Sequence, residues 1–204
     1  MVCLLFAGTI YCQQPSSSSS SAGLRLNAAD MKVFGLQLGE KFSLSECAKD
    51  GMGYDLITNR LCFERYPTKE NENTPIDNAT VLIRFPLSAK PEMLKDTAVA
   101  ATLIEGKLEG LSFNTFGVST QDEDLDRLKT KYGEPGDTKP LKVQNRFGAS
   151  FNSVIAIWTL ANLHVSFASA VTTLDEGLVI VDTDKGSERR SKALKEAAKD
   201  KHPM

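Results

Sequence analysis

Histidine is almost missing from this chain: His164 and His202 are the two it has in 204 residues. Cysteine is nearly as scarce, with Cys3, Cys12, Cys47 and Cys62. Cys47 and Cys62 have no histidine near them in sequence, so they do not complete the tetrahedral N/S set of a zinc site. A dominant charge is lacking too. The 24 Lys and Arg against 26 Asp and Glu leave a net charge of −2, which gives no general attraction for nucleic acid or anionic lipid. The most apolar stretch, "VCLLFAGTIY" at 2–11, is too short for a stable bilayer span. Phosphate-binding and nucleophile-elbow patterns are absent: "FGLQLG" and "GMG" have the wrong glycine spacing, and no "GxSxG" occurs. "DTDKG" at 182–186 lacks the further ligands and terminal Glu of a calcium loop. No cofactor is expected.

What is present begins with the N-terminus. No charged side chain precedes Arg25, and the apolar 2–11 stretch suits the centre of an export signal. The run Ser16–Ser21 follows as a flexible spacer with nothing to pack. Two processing routes stay open. Cleavage after Ala22 meets the small-residue requirement of ordinary signal removal. Alternatively, Cys12 resembles the lipidated cysteine of bacterial lipoproteins, with Tyr11 where that pattern has a small residue. Residues 1–31 are therefore read as export signal and spacer, and 32–204 as a single domain, with 32–90 and 100–185 as candidate related subunits. Export places Cys47 and Cys62 in an oxidising compartment, where an even pair reads as a disulfide.

Along the folded part, "VFGLQLG" at 33–39 alternates as a half-buried strand. "SLSECA" at 43–48 has capping-box spacing between Ser43 and Glu46, so a short helix is expected there. "TVLIRF" at 80–85 reads as a strand ended by Pro86, and a short helix is expected around 93–99. Strands at 102–105 and 108–115 flank a hairpin at Gly106-Lys107. The clearest helix follows. Thr120 and Glu123 form a capping box, Asp122, Glu123 and Asp124 fill the first turn, and Gly133 and Pro135 stop it. Leu125, Leu128 and Tyr132 share one face. "KVQNRFGASF" reads as a strand broken near Gly148, "SVIAIWTL" and "LHVSF" as a hairpin, and "GLVIVDT" as a buried strand. "SERRSKALKEAAKDK" reads as a peripheral helix with little to bury, or as one that frays. The order gives an α+β fold with a mainly antiparallel sheet, a central capped helix and a peripheral C-terminal helix.

The stretch 120–183, a helix ending in "YGEP" before a run of strands, resembles the small exported α+β units of outer-membrane-assembly lipoproteins and β-lactamase-inhibitor-type proteins. That resemblance implies binding rather than catalysis. Aromatic residues crowd the C-terminal half at Phe113, Phe116, Phe147, Phe151 and Trp158. Most such rings are core, but one or two left on the sheet surface anchor a partner. Phe113, Phe116 and Trp158, with His164 on the solvent side of its strand, are the candidate partner-contact residues. No catalytic or metal residue is assigned. The leading reading is a non-enzymatic protein of the periplasm or envelope membrane that binds another envelope protein, touching a membrane through an N-terminal lipid at most. The alternative is an envelope hydrolase using carboxylates or a Ser–His pair around His164.

Overall fold

The computed structural model describes residues 31–49, 59–66 and 75–200. Cys12, the serine run and His202 lie outside the described residues. Among the described residues ten strands and two α-helices form: β1 (Lys32–Val33), β2 (Leu36–Gln37), β3 (Cys62–Arg65), β4 (Thr80–Arg84), β5 (Ala98–Ile104), β6 (Lys107–Thr115), α1 (Gln121–Tyr132), β7 (Asp137–Gln144), β8 (Ser150–Thr159), β9 (Leu163–Ala168), β10 (Gly177–Thr183) and α2 (Asp184–Asp200). Eight strands make one sheet in the order β3-β4-β5-β6-β10-β9-β8-β7, and every pairing in it is antiparallel. The fold is thus α+β with a mainly antiparallel sheet.

The order has a regularity that neither half of the sequence displays alone. Read inward from one edge the strands are β3, β4, β5 and β6; read inward from the other they are β7, β8, β9 and β10. Two four-strand meanders, each followed by a helix, meet along the β6–β10 pair. Their bounds, 62–132 and 137–200, are offset from the 32–90 and 100–185 division that the sequence suggests.

Alternation builds the core. Val81 and Ile83, Val99, Ala101 and Leu103, Leu111 and Phe113, Val179 and Val181, and Val165 and Phe167 all point to one face and are buried, as a period of two requires. Leu128 and Tyr132 of α1, Val33 and Leu36 of the N-terminal hairpin, and Met93 and Leu94 close over that face. The opposite face carries a cross-strand row, Leu82–Ala100–Ser112–Ile180–Ser166–Ile157, set by register, and none of its members is buried.

Several local expectations are corrected. The strand read at 33–39 is a tight hairpin of β1 and β2, turning at Phe34 (φ 50°) and Gly35 (φ 85°). No helix starts at Ser43. Residues 45–47 run extended beside β3, with Cys47 N donating to Phe63 O at 2.8 Å and Phe63 N to Ser45 O at 3.0 Å. Sheet pairing and the crosslink there outweigh a two-residue capping signal. The helix expected around 93–99 is a single turn, Leu94 N to Pro91 O, because Val99, Ala101 and Leu103 are drawn into β5. The β5–β6 turn is centred on Glu105 (φ 53°) and Gly106 (φ 71°) rather than on Gly106 and Lys107, as the favoured two-residue hairpin turn demands. At α1 the Thr120 hydroxyl donates to Asp124 at 2.8 Å, not into a capping box, while Glu123 pairs with Arg127 at 2.7 Å. "KVQNRFGASF" is the end of one strand, a turn and the start of the next, so β7 and β8 form a long hairpin.

Candidate functional site

The four candidate contact residues are dispersed. Trp158 is core: it is 1% exposed, and its indole N–H donates to Gly133 O at 2.8 Å, tying β8 to the end of α1. Phe113 is also buried, its ring 4.8 Å from that of Phe34. Neither ring is offered to a partner protein. Both lie on inward-facing positions of central strands, where the largest apolar side chains are needed to fill the core. Phe116 stands 37% exposed beside a short turn at 117–119, with Lys90 Nζ 5.4 Å from its ring centre. His164 follows the other face of the sheet, and its Nε2 lies 2.9 Å from Asp184 Oδ1 at the start of α2. Both groups are open to solvent. Its cross-strand neighbour Asp182 is engaged by Arg190 through two bonds, at 2.7 and 3.0 Å. Asp182 therefore holds α2 on the sheet and is not aimed at the imidazole. Among the described residues no group of three His, Cys, Asp or Glu side chains is arranged to hold a metal ion.

The exposed apolar surface gathers instead on the β7–β8 hairpin. Phe147 is 80% exposed, and Leu141, Phe151 and Ile157 of the same hairpin are 38–41% exposed. Its tip is built to hold a shape. Asn145 N and Ala149 O close the loop at 3.0 Å, and the Asn145 side-chain oxygen accepts from both Phe147 N and Ala149 N at 3.0 Å. Gly148 supplies the left-handed residue (φ 83°) that lets a three-residue loop rejoin β8. The result presents the Phe147 ring with the Arg146 guanidinium 4.9 Å from its centre. Lys139, Lys142 and Arg146 make the hairpin basic, against one acid, Asp137.

This cluster was legible only in part. The aromatic crowding at 147–151 is visible in sequence, but nothing in the chain says which ring of "NRFGASF" faces water. The deciding facts are that β7 is an edge strand and that the hairpin outruns β9, whose pairing with β8 begins only at Ile155.

A concavity lies on the core side. A cavity of about 270 Å³ opens between α1, the β1–β2 hairpin and the 91–93 segment, floored by Phe113 and Val181. Its walls are apolar, and the charged side chains lining it are Arg127, Lys131 and Glu92. No helix among the described residues is long and apolar enough to cross a membrane. No family model, curated protein or solved structure matches this chain.

Proposed function

We propose that this protein is a non-catalytic, exported binding module that holds a protein partner on the β7–β8 hairpin. The observation that carries the reading is the Phe147 tip: a large ring at 80% exposure on a loop fixed by four hydrogen bonds. Ordering an already ordered loop costs little on binding, and an exposed aromatic beside Arg is the usual make-up of an interface anchor. Lys139, Lys142 and Arg146 fit a partner surface that is acidic around an apolar hollow. Export is supported by the apolar, uncharged start with its serine spacer and by the Cys47–Cys62 disulfide, a crosslink that persists in oxidising compartments. The resemblance of 120–183 to exported binding units points the same way. His164 adds no support for a hydrolase, since its partner Asp184 is exposed with it at the helix end.

The test compares envelope extracts passed over the wild-type chain and over Phe147→Ser and Arg146→Glu variants. A stoichiometric partner retained by wild type, weakened by salt and reduced roughly 30-fold in affinity by Phe147→Ser is the expected result. Equal capture by the hairpin variants overturns the reading, as does binding to anionic vesicles in place of a protein. Cell fractionation with intact-mass measurement checks export, and a cytosolic chain keeping unmodified residues 1–22 overturns that part.

A further inference from the structure

We infer that the open edge of β7 takes up a short extended segment of the protein partner as an added strand, one that alternates apolar and acidic residues. The inference rests on the hairpin reading above and names how the partner is held. The two edges of the sheet are treated differently. Beside β3 lies the extended 45–47 segment, bridged at Glu46 and Phe63 and fixed by the Cys47–Cys62 disulfide. At the other edge β7 pairs with β8, and among the described residues no strand pairs with its far side.

The register says which backbone groups that edge offers. Asn145 N donates to Ala149 O at the mouth of the loop, so these two form a hydrogen-bonded pair, and such pairs recur at every second rung. Lys139, Leu141 and Val143 therefore direct their backbone groups at β8, opposite Ile155, Ser153 and Phe151. Thr138, Pro140, Lys142 and Gln144 lie between them and turn theirs outward. β8 agrees from its own side. Val154, opposite Pro140, donates to Ser169 Oγ and accepts from Ser169 N, both at 2.9 Å. Pro140 has no N–H, and it stands where the ladder with β8 requires none. On the outer side it removes a donor, which interrupts pairing along the whole edge. Between Pro140 and the loop, Lys142 and Gln144 still offer an N–H and a C=O each, room for an added strand of about four residues.

Side chains set what that strand carries. Leu141 and Val143 share a face with Phe151, and Leu141 and Phe151 are 41% and 38% exposed. Lys142 is on the other face, in register with the uncharged Asn152. An added strand continues the alternation. Its apolar residues extend the first face, and its carboxylates sit beside Lys142, with Arg146 following at the loop. A second copy of β7 fits worse, because it brings further lysines to a basic edge and a second proline to the same rungs.

The experiment uses the full chain with its disulfide intact and acetylated, amidated peptides as probes. One alternates Glu and Val, one has Lys for Glu, and one keeps the Glu-Val side chains but is N-methylated throughout. Amide exchange is followed by NMR. The Glu-Val peptide should slow exchange at Lys142 and Gln144 about tenfold or more and leave Thr138 unchanged. The Lys peptide should bind roughly tenfold more weakly, and the methylated one should give no protection. Gln144→Pro removes an outward donor without touching the β8 ladder and should weaken both the peptide and the captured partner. Equal binding of the three peptides, no saturable protection, or a dimer that protects these amides without peptide would each overturn the added strand. If Phe147→Ser abolishes partner capture while Gln144→Pro does not, the hairpin reading stands and this inference falls. Equal capture by Phe147→Ser and wild type removes the hairpin reading and this inference with it. The amide readout needs no substitution, so it decides the matter even if Gln144→Pro misfolds.

Discussion

Asp124 shows at the residue scale how a helix signal can hide a burial problem. In sequence it is one of three acids that complement the N-terminal end of α1. In the structure it is the one that turns inward, to 3% exposure, accepting from the Thr120 hydroxyl. Burial lifts its carboxyl above the ordinary Asp value of 3.8, with the Thr120 hydrogen bond opposing. The sign is the reverse of a salt-bridged acid's. Between 3.8 and its raised folded value the native state binds more proton than the unfolded chain, so this group's contribution is fully present below 3.8 and is lost as pH rises through the folded pKa. The stability of wild type minus that of Asp124→Asn should therefore fall as pH is raised from about 3 to 7. Urea unfolding across that range measures it, and a difference that rises with pH contradicts the assignment. Asp182 is the contrasting case. Its side chain is 3% exposed and gripped by Arg190, with Gly110 opposite because a Cβ there would lie 2.1 Å from Asp182 Oδ1. Arg190→Ala leaves that carboxylate buried without its counter-charge and should cost about 3 kcal/mol. Arg190→Lys, which keeps the charge but not the fork, should cost visibly less. Chemical denaturation of the two variants reads the order directly.

The elements differ in how far sequence specifies them. α1 has a glycine stop, dipole complement and an apolar stripe in agreement, and it forms at 121–132 although the Thr120 side chain caps no backbone N–H. α2 forms from propensity and is held by few residues. Arg190 reaches Asp182, and Arg189 donates to the carbonyls of Leu103 and Asn78 at 2.8 and 2.9 Å. Gly186 admits the close approach, since a Cβ there would sit 2.1 Å from Glu109 O. From Ser191 to Lys199 the helix is exposed throughout, Leu194 included. Ending the chain after Ser191 should therefore move the thermal midpoint by less than about 2 °C. Removing the helix from Asp184 should lower it by roughly 5–10 °C, at the ~2–4 °C per kcal/mol expected for this size. Calorimetry of the two truncations checks both. Equal effects would mean that the exposed half makes contacts of its own.

For the whole molecule the sheet is the organising body, and its β3 edge is where the covalent link sits. Cys47 and Cys62 are joined with a sequence separation of 15, tying the extended 45–47 segment alongside β3. A loop of that length implies about 3 kcal/mol of stabilisation through the unfolded chain. Replacing both cysteines with serine should lower stability by roughly 2–4 kcal/mol while leaving capture by the β7–β8 hairpin unchanged. The hairpin occupies the opposite edge of the eight-strand order, and distant sites act nearly independently. Denaturation and partner capture on the same preparation test both halves of that statement. A loss of capture equal to that of Phe147→Ser would show the two edges to be coupled.

Periodicity, helix-stop residues and cysteine count determined the class of fold, the position of α1, the strands at 80–84 and 177–183, the β8–β9 hairpin and the disulfide. Each of these rests on signals within a few residues, or on the absence of any competing cysteine in the folded part. Tertiary structure alone decided the rest. Whether "SLSECA" is helix or strand turned on a partner, β3, that the local signal does not contain. Which aromatic rings stay in water depended on strand order, because β8 buries Trp158 where β9 covers it and leaves Phe147 and Phe151 beyond its reach. The cavity is less legible still, since its walls come from 33–34, 91–93, 113, 127–132 and 181. These are five separate stretches brought together only when the two meanders meet along β6 and β10.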